Sequence, residues 1–540
     1  MSVEDQLLTL HSGQAIPLAR VPHVSMDDLR RGLLAMPARG ERVAALFGHV
    51  PTEIGGSSLY STTPYGSAGS ETAGPVDLYV VIAQGSRSIL RVGKTRLEGD
   101  GFPSLTPECP QIHLFEREIA EQYGVRPEGH PWFKPVRFHA SYRPEHDAWE
   151  RRPAPTSGYP PGARGKTPVC GVTDFYRVEG QEIHEVAVGP VHAGVIEPGH
   201  FRFQCYGEQV FHLEISLGYQ HRGAERTLAG GPDRRTLHTL ETVAGDTSIG
   251  HATAYCQAVE SLGGCQVPIR AEVLRGVALE LERLANHTGD LGALAGDVGF
   301  LPTASYCGRL RGDFLNLTAL LCGNRFGRSL IRAGGVGFDL DAAQVEQCMQ
   351  RLEAAFKDVT AAADLLWDSP SVQARFEDTG AVSYEACAAL GMVGPAARAC
   401  GLECDVRQDF PAGIYRFAQV PVSTWTTGDV FARAYVRWME IQRSVMFIRE
   451  QLQAFPDGPI RGEVGPMKPE HLVVTLVEGW RGEICHVAMT DARGRFSRYK
   501  IVDPSFHNWI GLAMALRNQQ ISDFPLCNKS FNLSYCGHDL

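Results

Sequence analysis

The sequence predicts an α+β protein, a small N-terminal α/β domain followed by a large, mainly helical domain with small β-sheets at its ends. Three observations carry this expectation. "VDLYVVIAQGSRSILRVGKT" (Val76 to Thr95) alternates β-branched residues in two runs around a turn, which is a strand pair, and "PQIHLFEREIAEQYGV" (Pro110 to Val125) follows with helical spacing. "RPEHDAWERRPAPTSGYPPGARGKTPVCG" (Arg143 to Gly171) is too rich in proline, glycine and charge to bury a core and reads as a linker. Beyond it, long stretches of helical period dominate until a return to strands near the C-terminal end.

The elements follow in order. Residues 1–70 carry little signal, 71–142 form the small domain, 143–171 the linker and 172–540 the large domain. In the 110–125 helix, Ile112, Phe115, Ile119 and Tyr123 share one stripe. "IHEVAVGPVHAGVIEPGHFRFQCYGEQVFHLEISLG" (Ile183 to Gly218) alternates like strands broken by glycine and proline turns. Long helices are expected over Arg270 to Gly299 and Gly428 to Phe455, and strands over His471 to Val502 with a turn at Ala492, Arg493 and Gly494. Glu280, Arg283 and His287 fall three to four residues apart on one helix face, where they pair as a structural network. Arg398, Asp405 and Arg407 sit in a Gly/Pro-rich loop, either as a solvated or bridging ion cluster or as part of a functional cavity.

Composition excludes several classes. The net charge of −10 leaves no general nucleic-acid footprint. No apolar run approaches the length of a membrane span. The start, "MSVEDQLLTLHSGQ", has acids where a secretory signal needs bases, so a cytosolic chain is expected, docked on the cytoplasmic side of a membrane through other subunits. No Gly-rich dinucleotide loop follows a strand, which puts any NAD or flavin on partner subunits. The fourteen cysteines are scattered without a C-x-x-C pair and read as buried free thiols in a reducing compartment.

Six stretches then occur in a telling order: "GPVHAGVIEPGHFRF", "GYQHRGAER", "ELERLANH", "GMVGPAARACGLECDVRQDFPAGIY", "GDVFARAYVRWMEIQRS" and "VEGWRGEICH". Together they resemble the large subunit of energy-converting, formate hydrogenlyase-type nickel-iron hydrogenases, which is related to the 49-kDa subunit of respiratory complex I. "FEREIAEQYGVRPEGHPWFKPVRF" is similar to the signature of the 30-kDa complex I subunit. The resemblance thus describes a 30-kDa-like unit fused to a 49-kDa-like unit.

In that family four cysteine thiolates hold a nickel-iron centre, because soft sulfur donors bind nickel and bridge it to iron. The resemblance places the first pair at Ala244 and Thr247, in "LETVAGDTSIGHATAYCQAVE". It places the second pair at Ser534 and Gly537, in "DFPLCNKSFNLSYCGHDL", with Cys536 one residue out of register and Cys527 upstream. Every ligand position is non-thiol, so no metal is expected and hydrogen activation should be absent.

The complex I branch instead admits a quinone headgroup to this cavity between a His and a Tyr. Those positions fall at Ile196 and near Thr242, both departures, while His192 retains the first loop histidine. The resemblance makes Glu197 a proton-relay candidate and Arg481 the arginine overhanging the metal space, with Asp246 and His251 beside the emptied pair. Asp405 and Arg407 would lie near the cavity. Two arrangements stay open: Glu197, Asp246 and Arg481 relay protons beside a quinone, or these three and His251 form a satisfied polar plug in the old metal space. The corresponding functions are a metal-free oxidoreductase core, or a scaffold that couples conformational change in an ion-translocating complex. The resemblance implies a small iron-sulfur subunit and antiporter-like membrane subunits as partners, with iron-sulfur clusters on the partners.

Overall fold

The computed structural model describes residues 6–51, 74–143, 145–150, 174–192 and 196–540. Most of the expected linker therefore lies outside the described residues.

The N-terminal sheet has four antiparallel strands in the order Leu8–Leu10, Ile89–Arg96, Asp77–Gln84, Arg42–His49. Asp77–Gln84 is buried along its whole length, which fits its run of valine, isoleucine and leucine. The His113–Tyr123 helix packs on this sheet with Phe115 and Ile119 inward, and Gly124 ends it in the left-handed conformation at φ 68°. Tyr123 Oη donates to the carbonyl of Gly48 at 2.8 Å. Only glycine fits there, since a Cβ on Gly48 would meet the Tyr123 ring at 2.6 Å. The weakly patterned segment before residue 51 thus supplies two strands of this sheet.

The same segment reaches further. Ile16–Pro17 pairs with His471–Gly479 at the edge of a second antiparallel sheet, continued by Gly482–Thr490 and Phe496–Val502. A third sheet joins Ile183–Val188, His200–Tyr206 and Gln209–Ser216. Between them stands the helical body. The 29-residue helix Ile269–Asp297 is its axis, buried on nearly all sides by Leu301–Cys322, Val430–Gln453 and Ser248–Gly263. The expected mixture of a small sheet-and-helix unit with a helical body and terminal sheets is the fold observed.

The seam between the small unit and the body is charged and buried. Lys500 Nζ donates to both carboxylate oxygens of Glu118 at 2.7 Å, and Arg498, paired with Glu225 within the body, donates from Nη2 to Gln122 Oε1 across the seam at 3.0 Å. Arg137 pairs with Glu118 and donates from Nε to the carbonyl of His538 at 2.9 Å. Charges withdrawn from water in this way are tolerable only when fully paired, so the seam fixes one register between the two units. Among the described residues no helix is long and apolar enough to cross a membrane.

Candidate functional site

The site is assembled from three places in the chain. The first is the start of the Ser248–Gly263 helix. Thr247 is its N-cap residue, and Asp246 stands just ahead. The second is the two-residue hairpin tip between Gly479 and Gly482, which carries Trp480 and Arg481. Gly482 has φ 130°, and a Cβ on Gly394 would lie 2.2 Å from the Arg481 carbonyl, so backbone meets backbone and the tip can lie nowhere else. The third is the segment from Asn532 to Leu540, whose short helix is capped by Ser534.

Arg481 joins the three. Its Nη1 and Nη2 donate to the two oxygens of Asp246 at 2.6 and 2.8 Å, and its Nε donates to the carbonyl of Asn532 at 2.5 Å. The guanidinium lies 3.8 Å over the Trp480 ring, whose Nε1 donates to the Asp246 carbonyl at 3.0 Å. Burial opposes the Asp246 charge, but Arg481 and the Thr247 hydroxyl outweigh it and hold the carboxyl below its ordinary value. The bidentate fork sets both position and charge.

Beside this clamp runs a buried chain of which sequence reading named only His251. His251 Nε2 lies 3.1 Å from Asp503 Oδ2, His251 Nδ1 lies 3.1 Å from His486 Nε2, and His486 Nδ1 lies 2.9 Å from Tyr499 Oη. Burial, then the neighbouring His251, pushes His486 well below the usual imidazole range, which keeps it neutral. With Asp503 anionic, His251 Nε2 donates to it, and the contacts continue from His251 through His486 to the Tyr499 hydroxyl. Asp503 is the N-cap residue of the Pro504–Ala515 helix, and its Oδ1 accepts from Ser505 N at 2.8 Å. Its other oxygen reaches His251, which no local pattern announces.

The four positions at which the resemblance places thiolates, Ala244, Thr247, Ser534 and Gly537, are buried here. Ser534 Oγ accepts from Gly537 N at 2.9 Å, and a Cβ on Gly537 would lie 2.6 Å from the Asp503 carboxyl carbon. Asp503 thus fills the volume a side chain at 537 would need. Cys536 hydrogen-bonds Ser534 and Glu197; burial, then the Glu197 charge, pushes its thiol up to about 11. Cys527 points away, its sulfur packed against Gly380. Neutral thiols and hydroxyls with a carboxylate in the ligand space do not fit a nickel-iron centre.

Of the other expected site residues, Glu197 is half-buried and accepts from Gln220 Nε2 at 3.1 Å. His192 turns back onto its own loop, with Nε2 3.0 Å from the Gly199 carbonyl. The Thr242 hydroxyl bonds the carbonyls of His238 and Thr239, while the residue lines an open pocket of about 380 Å³ with Arg222, Arg235 and Thr239. Ile196 is exposed and offers no polar atom. Ile196 thus has no donor, and the Thr242 hydroxyl is already spent on its own helix.

Asp405 and Arg407 belong to a second buried cluster, not to a solvated loop. Arg407 donates to Asp405 at 2.6 Å and to Glu280 at 3.1 Å; Arg398 donates to Glu440 at 2.6 Å and Glu478 at 2.8 Å. Arg283 pairs with Glu280 at 3.1 Å, as the helix spacing implied, but His287 turns to Glu440 at 2.8 Å. Burial opposes the Glu440 charge, and Arg398 followed by His287 overcomes it, holding the carboxyl well below its usual range. The two expected clusters are therefore one network. It touches the site through Glu478 and Gly479, whose carbonyls accept from Arg283 directly before Trp480 and Arg481.

Comparison with known proteins agrees with this architecture. Residues 297–466 match the family described as respiratory-chain NADH dehydrogenase, 49 Kd subunit, and residues 72–154 match the 30 Kd subunit family. The carbon monoxide-induced hydrogenase of Rhodospirillum rubrum is 32% identical over 65% of this chain and 97% of its own length. Formate hydrogenlyase subunit 5 of Escherichia coli is 29% identical, over 80% of this chain and 76% of the relative. NADH-quinone oxidoreductase subunit 4 of Thermus thermophilus is 30% identical over 63% of this chain and 90% of its own. A subunit of the archaeal membrane-bound sulfane sulfur reductase shares the fold, with a TM-score of 0.63 at 22% identity over 68% of this chain and 100% of that one. The chain is a member of the family that unites the large subunits of these hydrogenases with the 49-kDa subunit of respiratory-chain NADH dehydrogenase, and it carries a 30-kDa-type unit at its N-terminal end.

Proposed function

We propose that this chain is the metal-free core subunit of a complex I-like oxidoreductase held at the cytoplasmic side of a membrane by its partners. An iron-sulfur subunit supplies electrons, a quinone-type acceptor takes them at the Asp246–Arg481–Glu197 pocket, and antiporter-like subunits use the accompanying proton movement. The observation that carries the reading is the contact of Asp503 with Gly537, which closes the ligand volume while Asp246 remains partly open, its side chain 32% exposed. The open pocket of Arg222, Arg235, Thr239 and Thr242, lined by none of Asp246, Arg481 and Glu197, has the size of a small ring system. Within the Asp246–Arg481–Glu197 pocket, Arg481 holds negative charge that develops on an acceptor, and Glu197 delivers a proton by way of its exposed edge.

A scaffold role is favoured by a different observation: both oxygens of the Asp246 carboxylate are bonded by Arg481, one also by Thr247, and its carbonyl is held by Trp480 and Asn286. Purification of the intact complex separates the two. The core reading expects copurifying iron-sulfur and membrane subunits, reduction of a water-soluble quinone, and no stoichiometric nickel by elemental analysis. About one nickel per chain overturns it. A complex that assembles but reduces no acceptor leaves the scaffold.

A further inference from the structure

A cavity opens at the seam between the small unit and the helical body, and it shares no residue with the clamp, the histidine chain or the ion network. His113, Arg117 and Trp132 wall it on one side and Ile215, Trp509 and Ala513 on the other. Among the described residues no acid lines it. Arg117 is the one lining residue charged at neutral pH, since burial holds His113 and His538 below the ordinary imidazole value. Arg117 stands on the His113–Tyr123 helix and is only 5% exposed. Its Nε donates to the Lys134 carbonyl at 2.7 Å and its Nη2 to the Pro135 carbonyl at 2.9 Å, while the guanidinium lies 4.4 Å over the Trp132 ring. These contacts fix the guanidinium plane, yet its Nη1 is buried and bonded to nothing. The two acids that act on Arg117 are Glu214 and Glu121. Both are committed elsewhere: Glu214 accepts from Lys134, Trp132 Nε1 and Tyr176 N, and Glu121 from the amides of Val136 and Arg137. Trp509 brings a second orphan, an Nε1 that is buried without a partner.

A buried donor without an acceptor costs its full desolvation, and folded proteins keep few of them. Two on one cavity, one of them cationic and no acid beside it, are the complement of an anion. Burial pushes Arg117 down to about 10 against the pull of Glu214 and Glu121, so the group stays protonated at neutral pH while short of counter-charge. Size narrows the class. The cavity leaves about 30 Å³ for the centre of a water-sized group, room for about two such groups, which excludes a nucleotide or a sugar. We propose that this cavity is a binding site for a free short-chain monocarboxylate, its head received by Arg117 Nη1 and Trp509 Nε1 and its tail lying on Ile215, Ile510 and Ala513.

Ligand-observed NMR tests the site by reading the broadening of the acetate methyl line on titration with the full chain, at neutral pH and constant ionic strength. The wild type should bind acetate saturably with a Kd on the order of 1 mM, the reach of a ligand with so few atoms. Acetamide, of the same shape but uncharged, should bind more weakly by about tenfold or more. Arg117→Gln should weaken acetate binding by about tenfold or more, and Trp509→Phe, which keeps the ring and removes the donor, by a smaller factor. Ala513→Leu should block binding by filling the cavity while Arg117 keeps its carbonyl bonds. No saturable broadening with the wild type, equal affinity for acetate and acetamide, or unchanged affinity in folded Arg117→Gln overturns the proposal. Should Arg117→Gln fail to fold, Ala513→Leu decides: loss of acetate binding supports the site and an unchanged affinity overturns it. Every readout is independent of turnover and of partner subunits, so failure here is distinct from failure of the oxidoreductase role.

Discussion

Asp503 stands against the Cα of Gly537, 2.6 Å from the place a Cβ would take, while its other contacts run to Ser505 and His251. The carboxylate is not free to step aside, since both oxygens are bonded. Gly537→Ala should therefore destabilise the chain by about 1–3 kcal/mol through overpacking. Asp503→Ala should relieve that clash, so the double variant should cost less than the sum of the two single ones. Denaturant unfolding of the four proteins makes the cycle, and strict additivity would contradict the contact.

Glu197→Gln should abolish coupled turnover while the complex assembles, because glutamine keeps the bond from Gln220 but cannot cycle a proton. Turnover is to be read beside subunit stoichiometry. An assembled variant with normal activity removes Glu197 from the relay and moves the pocket toward the scaffold reading.

Arg481→Lys should weaken the same activity, since an ammonium cannot reproduce the fork on Asp246 or the third bond to Asn532. The segment from Asn532 onward should become more sensitive to protease than in the wild type, because its tie to the hairpin tip is lost. Equal cleavage rates would show that the Ser534 cap and the Asp503 contact hold the segment alone.

Glu440→Gln should cost about 3–5 kcal/mol, because it leaves the buried Arg398 short of a counter-charge. The pH dependence has a definite sign. Glu440 and Glu280 are held below their unfolded values, so their contribution is complete above the unfolded carboxylate range and is lost as pH falls through the depressed folded values. The acid limb of the stability curve should be shallower in Glu440→Gln than in the wild type.

Periodicity and turn chemistry made much of the scaffold legible. The spacing of Ile112, Phe115, Ile119 and Tyr123, the long apolar rhythm of residues 270–299 and the alternation of 471–502 are local signals, and each element formed where its pattern lies. Sequence alone also determined that Ala244, Thr247, Ser534 and Gly537 bring no thiolate, since donor type is written in the residue itself. What fills the space between them was decided only by tertiary structure. Asp503 and His251 are 252 positions apart, and Arg481 and Asp246 are 235 apart. A hydrogen bond across such a separation leaves no periodic trace, because it depends on how a hairpin tip, a helix start and a C-terminal segment are packed. The same reason hid Ile16–Pro17 at the edge of a distant sheet and the carboxylate of Glu282 under the first turn of another helix. Burial, which sets whether those acids hold a proton, is a property of the packed whole and is absent from the sequence of any one segment.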